Sequence, residues 1–207
     1  MIFMYLSWLV LLLAHSVFSA DPQSPDKFSV VFQTSVASGD GSFTLDVDRS
    51  LSPLGADRFY ALVKDEFFTK TNNVDGAAFF RVVDTFIVQF GISGDPAETS
   101  KFRDSIEDDP AIEGNSNVAA TVAFATAGAN TRTSQIFINL KDNTQLDGDG
   151  FTPFGKVSKG MDVVNAIVNP TPDDTDGINQ NGYGLGGDSW LAQQGFDYNV
   201  IVNATLV

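Results

Sequence analysis

The sequence contains no cysteine. That excludes disulfides, thiolate metal sites, thiol nucleophiles and iron–sulfur clusters. Its one histidine, His15, lies in an apolar N-terminal segment. Without that segment the chain holds neither residue type. Ser-His-Asp hydrolases, Cys-His proteases and His-ligated metal enzymes are then excluded together. Positive charge is also scarce: 12 Lys and Arg stand against 26 Asp and Glu, a formal net charge of −14. Nucleic-acid backbones and anionic membranes call for a basic surface, so neither is an expected partner. The acidity reads as solubility.

What is present points to one packed domain. About 43% of the 207 residues are apolar, enough to bury a core. Phe occurs 18 times against two Trp and four Tyr. Phe fills cores and slots without a polar atom that needs a partner.

Residues 1–20 are almost wholly apolar and end in Ser19-Ala20, followed by the breaking pair Asp21-Pro22. The run is short for a membrane span and ends in small residues, as a secretory signal peptide does. Cleavage after Ser19 or Ala20 fits. No KDEL-type signal closes the chain at Ala204–Val207. The expected location is therefore outside the cell or in the lumen of the secretory pathway. No stable membrane insertion is expected after cleavage.

The rest of the chain reads as short strands. Residues 28–34 and 43–47 are β-rich runs around a turn cluster at 37–42, a hairpin signal. Residues 78–90 give two strands around Asp84-Thr85. Further strands are expected at 118–125, 135–140, 154–157 and 198–207. Helical spacing occurs at 54–63 and 159–168. Residues 92–116 and 169–189 read as loops. Eight strands, two helices and no βαβ alternation predict a mainly β barrel or sandwich with helical caps.

Three segments carry chemistry. The first is Phe79-Phe80-Arg81-Val82-Val83-Asp84-Thr85-Phe86-Ile87-Val88-Gln89-Phe90-Gly91. The second runs from Ala125-Thr126-Ala127-Gly128-Ala129-Asn130-Thr131 through Arg132-Thr133-Ser134-Gln135-Ile136-Phe137-Ile138. The third is Leu146-Asp147-Gly148 followed by Phe154-Gly155-Lys156-Val157. In order and spacing these resemble the signature of the cyclophilin-type peptidyl-prolyl cis–trans isomerases, across residues 28–207. The resemblance implies a closed eight-stranded antiparallel β-barrel capped by two α-helices. It implies catalytic roles for Arg81 and Gln89. It places Phe86, Ile87, Ala125, Thr126, Ala127, Gln135, Phe137 and Leu146 against the substrate, with no metal and no cofactor. Proline-containing peptides and unfolded proteins are the implied partners of a monomer.

The chemistry suits these residues. An amide resists rotation by about 18–20 kcal/mol. Easing that rotation needs a slot for the ring and a donor that favours the twisted amide, not a nucleophile. An always-charged guanidinium among apolar side chains meets the need. Some positions depart from the family pattern. Phe80 stands for a histidine and Thr126 for an asparagine. Gln145 replaces a tryptophan, which weakens expected cyclosporin binding. Phe151 stands near a missing histidine as a substitute slot wall. Arg132-Thr133 replaces a small pair at the groove rim. A non-catalytic module that binds proline peptides is the alternative. Gly182–Gly187 satisfies G-x-G-x-x-G without the strand and helix start of a nucleotide site. Residues 147–150 and 173–177 lack the ligand spacing of a calcium loop.

Overall fold

The computed structural model describes residues 21–207. The expected signal peptide lies outside them. Strands β1 (Lys27–Thr34) and β2 (Ser42–Asp48) form the first hairpin and precede helix α1 (Pro53–Lys64). Strands β3 (Arg81–Val83) and β4 (Ile87–Phe90) follow, then α2 (Pro96–Lys101), β5 (Thr121–Phe124), β6 (Ile136–Asn139) and a 3-10 turn (Thr144–Asp149). Strand β7 (Pro153–Lys159), α3 (Met161–Asn165), α4 (Gln180–Leu191) and β8 (Ile201–Leu206) complete the chain. Every strand pair is antiparallel, in the order β3-β4-β6-β5-β7-β2-β1-β8.

The eight expected strands are present and form one strongly curled sheet. Its edges, β3 and β8, share no ladder among the described residues, so the sheet is a half-barrel along their length. Beside them, the isolated bridge Ala78↔Val200 links the two edges. Two backbone bonds flank it: Phe79 N donates to Asn199 O at 3.0 Å and Ile201 N to Ala77 O at 2.9 Å.

Period-two alternation builds the interior. Val30, Phe32, Phe43, Leu45 and Val47 all point inward and are buried. Phe32 stacks on Phe43 with ring centroids 4.9 Å apart, and meets Phe68 and Phe90 edge-on. Helix α1 covers this core with Phe59, Leu62 and Val63, one stripe at helical spacing. Its first turn is capped from a distance. The Asp109 carboxylate accepts from Leu54 N and Gly55 N, each at 2.9 Å, and from Ser52 Oγ at 2.5 Å. Arg132 Nη1 neutralises it at 3.0 Å.

The helices differ from the sequence expectation. The second expected helix, 159–168, is helical only over Met161–Asn165. Two segments read as loops carry helices: α2 lies within 92–116, and α4 begins within 169–189 and runs on to Leu191. Helix α4 holds four glycines and lacks an apolar stripe, so no local signal announces it. Tertiary contacts hold it. The Asn179 side chain caps Gly182 N at 2.9 Å, and buried Tyr183 Oη accepts from Ala78 N at 2.9 Å. A Cβ on Gly182 or Gly186 would lie 2.4 Å from the Trp190 side chain. Those glycines let the indole lie against the helix. The G-x-G-x-x-G string is thus the interior of α4, kinked at Gly187.

Candidate active site

The outer faces of β3, β4, β6 and β5 build the site. Alternation sends Val82, Val88, Val122, Phe124, Ile136 and Ile138 into the core. It leaves Arg81, Ile87, Gln89, Ala123 and Phe137 on the opposite face. Register then sets them side by side: Arg81 pairs with Gln89, Gln89 with Phe137, and Phe137 with Ala123. The β3–β4 hairpin turns through Thr85 at φ 57, and Phe86 N donates to Val83 O at 2.9 Å. That turn swings Phe86 over the strands.

Ile87, Ala123 and Phe137 form a small apolar cluster separate from the main core, with Phe86, Ala125, Leu146 and Phe151 packed against it. Phe137 and Phe151 meet edge-to-face at 5.5 Å. All of these except Ala123 line a cavity of about 620 Å³. Arg81, Gln89, Thr126, Ala127 and Gln135 line it as well. All eleven residues singled out from the sequence therefore border one cavity. Thr131, Thr133 and Gln180 border it too. The threonines carry no catalytic signature, and Gln180 belongs to the unforeseen helix α4.

A polar chain runs along one side of the cavity. Arg81 Nη1 donates to Gln89 Oε1 at 3.0 Å, and Gln89 Nε2 donates to Gln135 Oε1 at 2.9 Å. The Thr175 carbonyl accepts from Arg81 Nε at 2.6 Å. The guanidinium is half-buried. Burial pushes its pKa down from the ordinary value while nearby Asp176 acts the other way. An arginine starts so high that it stays charged throughout. The loop that supplies Thr175 fits closely. Gly177, at φ +80, lies where a Cβ would come within 2.6 Å of Arg81 Cβ.

The rim is braced from behind. Asn130 and Asp108 exchange two bonds of 2.8 Å. Arg58 Nη1 donates to the Thr133 carbonyl at 3.0 Å. Arg132 does not reshape the rim with its own side chain. It is 3% exposed and turns inward to Asp109, leaving Thr133 to face the cavity. A larger cavity of about 790 Å³ lies over Pro170–Asn181 and Phe196. It holds no sequence-predicted site residue.

The family model for cyclophilin-type peptidyl-prolyl cis–trans isomerases matches residues 30–183. The chain belongs to this family. Among relatives, a peptidyl-prolyl cis–trans isomerase of Acinetobacter baylyi is 34% identical over 146 residues, 68% of this chain and 73% of that protein. One of Arabidopsis thaliana is 34% identical over 164 residues, 76% of this chain and 90% of its own. The crystal structure of a Cryptosporidium parvum cyclophilin superposes with a TM-score of 0.62 at 20% identity, covering 87% of this chain and 98% of that one. The same protein solved in the presence of the dipeptide Ala-Pro gives 0.61 at 21% identity, covering 86% and 98%. Those two show the cyclophilin fold. Family membership makes this cyclophilin a peptidyl-prolyl isomerase, and the reaction is rotation about Xaa-Pro bonds.

Proposed function

We propose that this cyclophilin turns Xaa-Pro bonds in the 620 Å³ cavity, with Arg81 acting on the twisted amide. The carrying observation is the Arg81–Gln89–Gln135 chain set beside an apolar slot. Twisting ends amide resonance and leaves a lone pair on the pyramidal proline nitrogen. A guanidinium N–H can bond there only in the twisted state, so the bond lowers the barrier without tightening ground-state binding. Gln89 and the Thr175 carbonyl fix the guanidinium in advance, which removes reorganisation from the barrier. Phe86, Ile87, Phe137, Leu146 and Phe151 grip the ring. Ala125, Thr126 and Ala127 border the mouth, where extended peptide enters. No proton moves and no covalent bond breaks.

The Ala-Pro dipeptide used with the Cryptosporidium protein supports proline peptides as substrates here. The signal-like N-terminus supports clients in or beyond the secretory pathway, and cyclosporin is expected to bind weakly with Gln145 in place of tryptophan. The Ala78↔Val200 bridge supports a barrel closed at a narrow seam. The test is NMR exchange of an Ala-Pro peptide. Arg81→Ala should lower catalysed exchange by about 10²-fold. Equal, negligible exchange by both proteins would leave a proline-binding module without turnover.

A further inference from the structure

Three carboxamides lie beneath the slot, outside the chemistry above. Asn117, Asn139 and Asn143 are each 0% exposed. They form a one-way relay. Asn143 Nδ2 donates to Asn139 Oδ1 at 2.8 Å, Asn139 Nδ2 to Asn117 Oδ1 at 3.1 Å, and Asn117 Nδ2 to Asp147 Oδ1 at 2.8 Å. Each amide has a second hydrogen to place. These go to the Phe86 carbonyl at 2.9 Å, Thr121 Oγ1 at 3.0 Å and the Phe151 carbonyl at 2.6 Å. The Asn143 main-chain carbonyl, not its amide oxygen, accepts from Leu146 N at 2.9 Å.

Asp147 sets the direction. An ionised carboxylate only accepts, and this one takes Ser116 Oγ together with Asn117 N and Nδ2. Asn117 must present its NH2 there, which leaves its oxygen for Asn139, and the order propagates to Asn143. The groups held at the ends belong to slot walls. Phe86 comes from the β3–β4 turn, Leu146 from the 3-10 turn and Phe151 from the loop beyond it. Segments far apart in sequence thus share one buried anchor.

We propose that Asn117, Asn139, Asn143 and Asp147 are positioning residues that set the spacing of Phe86, Leu146 and Phe151, and so the slot's affinity for proline. The inference rests on the slot being the proline site. A relay that only stabilised the fold would change melting temperature and leave the folded slot's affinity alone.

Asn143→Asp tests this, because it keeps the shape and replaces a donor with an acceptor facing two oxygens. Asp147→Asn removes the acceptor that orders the relay. An Ala-Pro tetrapeptide is titrated by NMR shift, and its exchange is measured at saturation. Both variants should raise Kd about tenfold. Exchange at saturation should stay within about twofold. Arg81→Ala should do the opposite, losing exchange with little change in Kd. Variants that melt earlier but bind peptide like the parent would overturn the proposal. Should Asn143→Asp fail to fold, Asp147→Asn decides by the same readouts. A parent protein that binds no proline peptide would sink the site assignment itself, and this shows in the parent arm before any variant is compared.

Discussion

Arg81 shows why residue type matters at a single position. Its fork reaches Gln89 and the Thr175 carbonyl at once. A lysine offers one point charge on a flexible stem and cannot span both. Arg81→Lys should therefore lower kcat/KM at least about tenfold, with the melting temperature nearly unchanged. Exchange spectroscopy and a thermal melt on the same sample check it. Gly177 is the partner of that argument. Its positive φ and the 2.6 Å approach of a built Cβ to Arg81 Cβ leave no room for alanine. Gly177→Ala should push the arginine stem away, reduce exchange, and cost about 1–3 kcal/mol in urea unfolding. Arg81, Gln89 and the slot residues were legible in sequence because long motifs carry them. Thr175 was not, since a backbone carbonyl can come from any residue and no side chain marks it.

Among elements, legibility follows the source of each element's stability. The strands announce themselves through alternation that survives in the fold: Phe43, Leu45 and Val47 in β2 all point inward. Helix α1 does so through the Phe59–Leu62–Val63 stripe. Helix α4 does not, because Tyr183, Trp190 and a cap at Asn179 hold a glycine-rich segment from outside. The cap on α1 is equally silent, since Asp109 lies more than 50 residues from the turn it satisfies. That carboxylate is 1% exposed in its side chain and Arg132 is 3% exposed. Asp109→Ala would leave buried Arg132 with only its longer 3.3 Å ion pair to Asp108 and leave the helix donors open. The expected loss is about 3–5 kcal/mol in denaturant unfolding. Because Arg132 belongs to the rim loop, hydrogen exchange there should speed up in the same variant.

Across the whole molecule, charge governs the response to solution conditions. The chain carries a formal net charge of −14, so self-repulsion opposes the compact state. Added sodium chloride should raise the melting temperature over the range where screening develops, and an absence of any rise would contradict this. Acid acts through particular carboxylates. Burial pushes Asp57 up, yet hydrogen bonds from Arg49 and Ser24 outweigh it and hold its carboxyl below the ordinary carboxylate range. Asp147 follows the same pattern, with burial outweighed by bonds from Ser116 and Asn117. The unfolded chain therefore binds protons more readily than the folded one near these pKa values. The stabilisation is complete above about pH 5 and is lost as pH falls through the lowered folded values. Melting curves should be flat from neutrality to about pH 5 and fall below about pH 4, less steeply in Asp57→Asn.

One arrangement reaches further. β4, β5 and β6 present oil on both sides, with Val88, Val122 and Ile138 facing the interior and Ile87, Ala123 and Phe137 in the separate cluster on the outer face. The two layers touch different neighbours, so evolution can retune one without eroding the other. Leu146 and Phe151, which pack on the outer layer alone, are the positions where a change is expected to alter the cleft with the least effect on the melting point. Selectivity and robustness are thereby written on opposite faces of the same strands and are free to drift separately.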